Sequence, residues 1–148
     1  MSGKRQRLSP AVQKRLGQAR VARFATVDLE GRPHVVPVCF AYDGRFFYTA
    51  IDRKPKRVPP ERLARLRNVR ATPLVALLID EYEEDWRRLW YVQIRGKANL
   101  VPSSAHDERA LALRKLKSKY PQYAGGMLAD DAPIIRISAE RIVFWGKV

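Results

Sequence analysis

GRPHVVPVCFAYDGRFFYTAIDRKPKR, residues 31–57, decides how this chain reads. Residues 33–42 form an apolar strand, Asp43-Gly44 is a hairpin signal of the type I′ kind, and residues 45–52 return as a strand rich in Phe, Tyr and Thr. The pair ends in Arg53, Lys54, Lys56 and Arg57, four basic residues in five positions. A flat apolar surface beside such a cluster complements a planar aromatic ring that carries a phosphate tail. Thr49 and Ala50, just before the cluster, are small enough to let a ring approach the backbone. The cluster also precedes a helix start, where free amides and the macrodipole add anion affinity. Lys54 and Lys56 share one side of an extended loop and are the preferred phosphate contacts, with Arg57 in support. The alternative is a solvated charge cluster between a strand and a helix.

Outward from that stretch, the elements are short. Ser9-Pro10 caps and opens a basic helix through about Arg20, and residues 23–28 alternate as a strand with Phe24 and Thr26 on one face. Pro59-Pro60 opens a helix through about Val69, stopped by Pro73. Residues 74–82 read as a strand buried on both faces, and the acidic loop 80–85 leads to Trp86. A long strand follows over 89–101, then a helix to Tyr120 capped by Ser103 or Ser104, a loop around Gly125-Gly126, and two closing strands over 134–138 and 141–145. Six or seven strands with three short helices do not alternate as βαβ units, so the fold class is mainly β: a small antiparallel barrel with peripheral helices, one domain over 1–148 with a basic helical segment at 1–20.

Composition bounds the function. Of 148 residues, 46% are apolar and 30% charged, but 29 basic residues against 15 acidic ones give a net charge of +14. An anionic ligand or polymer is the expected partner. One cysteine, Cys39, excludes an internal disulfide and fits a reducing compartment; with neither a signal-like segment nor a membrane-length apolar run, the expected location is cytoplasmic. There is no Walker or G-x-G-x-x-G loop, no C-x-x-C and no H-E-x-x-H, and His34 and His106 lack metal-site neighbours. No metal is expected, and a cofactor is the expected source of the reactive atom. Pro37, inside an apolar strand, belongs on an edge or at a bulge, where free backbone groups can meet a ligand's polar rim.

The segments ARFATVDLEGRPHVVPVCFAYDGRFFYTAIDRKPKR, RLRNVRATPLVALLID and EDWRRLWYVQIRGKANLV, in that order, resemble the flavin/deazaflavin oxidoreductase superfamily, the split β-barrel group containing pyridoxamine 5′-phosphate oxidase. The resemblance covers residues 16–145 and is nearest to members that use coenzyme F(420). It implies an FMN-binding-like split barrel that dimerises with itself, the cofactor lying at the interface. It places the ring against Val36, Pro37 and Val38, the cofactor side chain along Thr49 and Ala50, and the phosphate on Lys54 and Lys56 beside Arg57, while Trp86 comes from the second subunit. Residues 58–61 read as a short insertion between the basic loop and the helix, which leaves open whether Arg57 reaches the phosphate. The implied activity is hydride transfer between the deazaflavin and a small electron-poor organic substrate, with His34 the nearest candidate proton donor.

Three other readings follow from the same residues. FMN needs one phosphate site, which Lys54 and Lys56 satisfy without the remaining positive surface. A nucleic-acid-binding module would use the same field, but Phe46, Phe47 and Tyr48 are consecutive and alternate between faces, which disfavours a stacking platform. A cofactor or haem carrier without turnover is the fourth.

Overall fold

One antiparallel sheet of seven strands runs through the computed structural model, which describes residues 8–56, 59 and 63–147. The strands are β1 (Ala22–Val27), β2 (Pro33–Val38), β3 (Ala41–Tyr42), β4 (Phe47–Ala50), β5 (Leu74–Glu81), β6 (Trp90–Leu100) and β7 (Ile134–Gly146), with helices α1 (Pro10–Gln18), α2 (Ala64–Ala71) and α3 (His106–Lys119). Their order in the sheet is β2-β1-β5-β6-β7-β4-β3, so β2 and β3 form opposite edges. Yet only Cys39 and Phe40 separate them in sequence. Three Cα steps cover no more than roughly 11 Å, so the sheet must curl until its edges nearly meet. The result is a half-barrel, mainly β, split along the seam that this crossover bridges.

Residues 33–42 are therefore not one strand. The ladder breaks at Phe40, whose amide donates to the Tyr120 hydroxyl (3.1 Å), while that hydroxyl donates to the Arg20 carbonyl (2.9 Å). Pro37 pairs across from Arg23 on the edge strand β2, the position in which a proline forfeits no ladder bond. The hairpin from β3 to β4 stands, but its turn is not type I′: Gly44 alone has a positive φ (93°). The Asp43 carboxylate closes the turn instead, accepting from the amides of Arg45 (2.8 Å) and Phe46 (2.7 Å).

At α1, Ser9 accepts from the Val12 amide (3.2 Å) and Pro10 is the first helical residue, as expected, although the helix ends at Gln18 rather than Arg20. Helix α2 begins at Ala64, with Leu63 extended before it, not at Pro59. The serines expected to cap α3 stand too early, because the Ala105 amide turns back to the Pro102 carbonyl (3.0 Å) and leaves Ala105 as the cap. The two closing strands are one: in β7, Arg141 pairs with Arg95 and Ala139 with Gly96, and Glu140 bulges between them.

Strand β5 also departs from expectation. Val75, Leu77 and Ile79 are buried, but Leu74 is 55% exposed and Leu78 also faces outward. Helix α2 packs against β1 and β6, and among the described residues the outer face at Leu74 and Leu78 stays open. Inside the barrel, Phe24, Leu77, Ile79, Val92 and Ile94 form the main core, and a second cluster of Ala112, Leu116, Tyr123 and Ile134 lies under α3. A cleft opens where the end of β4 meets that second cluster.

Candidate functional site

As the chain leaves β4 it is stitched to residues 127–133: the Ile51 amide bonds the Pro133 carbonyl (3.0 Å) and the Arg53 amide bonds the Met127 carbonyl (2.9 Å). This turns the side chain of Asp52 inward, where it is buried. Asp52 then organises the basic loop. Its carboxylate accepts from the Lys54 amide (3.0 Å), forms an ion pair with the Lys54 ammonium, and accepts from the Tyr123 hydroxyl. The Lys56 ammonium donates to the carbonyls of Asp52 (2.6 Å) and Lys54 (2.7 Å) and lies 3.3 Å from the Asp52 carboxylate. Lys56 thus commits its three N–H groups to the loop and is 12% exposed, whereas Lys54 is 59% exposed and keeps room for another partner.

Electrostatics follow from this geometry. Burial alone would push the Asp52 carboxyl upward, but bonds from the Lys54 side chain, Tyr123 and the Lys54 amide overcome it and hold the acid at about 2. Burial and the neighbouring Asp52 raise the Tyr123 hydroxyl far above its ordinary range, so it stays a donor. The depressed Asp52 value makes a stability statement. The contribution is complete above the ordinary value of 3.8 and is lost as pH falls through about 2. It amounts to about 2 kcal/mol. Urea midpoints measured from about pH 5 down to about pH 2 should fall steeply in the parent and less steeply in Asp52→Asn. Parallel acid limbs would remove Asp52 from this role.

A cleft of about 680 Å³ lies over this loop, walled by Asp52, Arg53, Lys54 and Lys56 on one side and by Ala129, Asp131 and Pro133 on the other. Behind it stands Arg65 of α2, a residue that the pattern of the chain did not single out. Its Nε is buried with no hydrogen-bond partner, and among the described residues no ion pair reaches its guanidinium. Burial pushes the Arg65 guanidinium downward, and the fields of Asp52 and Tyr123 oppose that shift, which puts the group within electrostatic reach of the cleft floor. A half-buried guanidinium with no ion pair among the described residues is costly. The donor set of Arg65 with Lys54 fits the phosphate end of an anionic cofactor.

The other expected site residues lie apart from this cleft. Val36 and Val38 turn toward the core, while Pro37 stays exposed on the free edge of β2. Thr49 and Ala50 are buried in β4, paired with Ile135 and Ile134. Trp86, 71% exposed, begins a short 3-10 turn capped by Asp85. Arg57, and all of the 58–61 insertion except Pro59, lie outside the described residues. His34 is half-buried opposite Thr26, with its Nδ1 unpartnered. Among the described residues, no group of three or more His, Cys, Asp or Glu could hold a metal ion, and no helix is long and apolar enough to cross a membrane.

Asp52 and Tyr123 were also missed. An acid directly before Arg-Lys-Pro-Lys is a legible turn signal, since Asp side chains bind amides two residues on. Nothing in the sequence around Tyr123 marks its role.

Comparison with known proteins places this geometry in context. The family described as pyridoxamine 5′-phosphate oxidase matches residues 8–146. A 5a,11a-dehydrotetracycline/5a,11a-dehydrooxytetracycline reductase of Streptomyces rimosus is 31% identical over 144 residues, spanning 93% of this chain and 84% of the relative. Among solved structures, HutZ, the haem storage protein of Vibrio cholerae, superposes with a TM-score of 0.71 at 18% identity, covering 96% of each chain. An F(420) reductase superposes with a TM-score of 0.64 at 23% identity, covering 92% of this chain and 98% of the other. At those identities the two structures share the fold.

Proposed function

The chain belongs to the pyridoxamine 5′-phosphate oxidase family as an oxidoreductase, and from that premise we propose that it uses coenzyme F(420) to transfer a hydride to or from a small electron-poor organic substrate. The observation that carries this reading is the cationic cleft over Asp52, with Lys54 largely exposed on its wall and the half-buried Arg65 within electrostatic reach of its floor. Bound there, the coenzyme supplies a deazaflavin carbon that exchanges hydride in a two-electron step. The chain's own residues do the rest. Lys54 and Arg65 grip the phosphodiester, and Asp52, Lys56 and Tyr123 hold the loop in the shape that presents Lys54. Val36, Pro37 and Val38, on the free edge of β2, would hold the ring through backbone groups. Buried Thr49 and Ala50 likewise bound the cofactor's side chain through β4 backbone.

A second copy completes the site. The outer sheet face carries Val35 (60% exposed), Leu74 and Leu78 with nothing over them, an apolar surface suited to a homodimer contact that brings the partner's exposed Trp86 to the ring. The net charge of +14, with Lys14, Arg15 and Arg20 on and beside α1, favours F(420) over FMN, because an oligoglutamate tail needs an extended basic surface. FMN-dependent oxidation or reduction is the second reading, favoured by the compactness of the cleft around Lys54, since FMN needs only one phosphate site.

Light scattering of the purified protein should give twice the chain mass, and fluorescence titrations with F(420) and with FMN, at low and high salt, should show tighter and more salt-sensitive binding of F(420). Tighter FMN binding would replace the first reading with the second. No response to either cofactor would overturn both.

A further inference from the structure

We propose that Lys119 is a reactive amine that forms an imine with small anionic aldehydes in a cavity separate from the cofactor cleft. The cavity, about 320 Å³, lies between α1 and α3 and is lined by Gln13, Tyr42, Lys115, Ser118 and Lys119. It shares no lining residue with the cleft over Asp52.

The setting of Lys119 differs from that of its neighbour on the same helix. Lys117 pairs with Asp130 at 2.8 Å. The Lys119 ammonium has no carboxylate partner among the described residues. It donates once, to the Leu16 carbonyl of α1 (3.0 Å), and rests 3.7 Å from the centre of the Phe40 ring. The Arg20 guanidinium stands close by, bonded to the Lys119 carbonyl (2.6 Å), and the Cys39 thiol and Tyr120 complete the surroundings from the crossover and the helix end. Burial is the main cause that pushes the amine down, Arg20 adds to it and Cys39 opposes it; the outcome is about 8. A lysine freed of its proton by desolvation and a neighbouring cation is how nucleophilic amines are made.

The step is balanced without a redox partner. The Nζ lone pair attacks the aldehyde carbon, the carbinolamine loses water, and an imine remains. Lys115, one turn back on α3 and exposed, supplies a positive charge for an acid group on the same small molecule, and Ser118 offers a hydroxyl at the cavity wall.

Glyoxylate with cyanoborohydride, which adds two electrons and fixes the imine as a secondary amine, is the probe; peptide mapping of the full-length protein reads the positions. Near pH 7.5, Lys119 is expected to carry the adduct roughly tenfold or more above the average of the other lysines, because its amine is desolvated beside the Arg20 cation. Labelling should rise with a midpoint near 8 and vanish in Lys119→Arg. Acetaldehyde, which lacks the acid group, should label Lys119 less, and Lys115→Gln should erase that preference. Adduct spread over the surface lysines without enrichment at Lys119 would overturn the proposal. Equal labelling by the two aldehydes would overturn its claim to anion selection.

Discussion

Gly96→Ala is expected to abolish cooperative folding or lower stability by about 4 kcal/mol or more, a large part of the 5–15 kcal/mol that keeps a domain folded. The smallest possible side chain suffices. A Cβ at Gly96 would lie 1.9 Å from the Ser138 carbonyl oxygen and 2.9 Å from its carbon, both backbone atoms. Neither side can yield cheaply. Strand β6 is bonded to β5 as well as to β7, and β7 is bonded to β4, so shifting Ser138 displaces ladders on both flanks. The Glu140 bulge interrupts the ladder right beside this contact. Gly17→Ala is the matched control, because a Cβ there meets nothing within 4 Å. Urea or thermal denaturation of the two variants checks the claim. A Gly96→Ala protein that melts like the parent would mean the strands are not so closely opposed.

What made the fold legible was local and periodic. The alternation in residues 23–28, the Asp-Gly turn and the Ser-Pro helix start each depend on near neighbours, and each lies where its pattern puts it. Pro37 pointed to an edge because a missing amide has one physical consequence wherever it occurs. The failures share another cause. Leu74 and Leu78 read as core because apolar composition cannot distinguish a face covered by helices from one left open. Ser103 and Ser104 suit a cap in type, but the turn from Pro102 to Ala105 decides which residue stands at the helix entrance. The bulge at Glu140 depends on a partner strand some forty residues earlier, beyond any local window.

The candidate site divides the same way. The run Arg53-Lys54-Pro55-Lys56 was visible as charge, and the structure places it on a cleft. The division of labour within it was not visible: Lys56 turns back onto two carbonyls, while Lys54, ion-paired to Asp52, stays largely exposed. Arg65 sits in an arginine-rich stretch of sequence, and among the described residues its buried, unpartnered Nε sets it apart from the exposed Arg67 and Arg70.

That division sets the sharpest test of the cofactor reading. Removing Lys54 and Arg65 together, as Lys54→Ala with Arg65→Ala, should weaken F(420) binding by about 3 kcal/mol or more, roughly a hundredfold and upward, because charge-assisted bonds contribute about 1.5–3 kcal/mol each. The loss should shrink at high salt, where both charges are screened. Lys56→Ala should behave differently. Its donors hold the loop to the carbonyls of Asp52 and Lys54, so its removal acts first on the stability of the free protein and only through loop shape on affinity. Thermal melts of the free variants, set beside cofactor titrations of the same proteins, separate the two roles. The Arg65 side of the pair carries a further expectation: a half-buried guanidinium with no ion pair among the described residues adds little to the stability of the free protein, so Arg65→Met should melt no lower than the parent while binding cofactor more weakly. If Arg65→Met binds F(420) as tightly as the parent does, the phosphate is held elsewhere, and the cleft over Asp52 loses its claim to be the cofactor site.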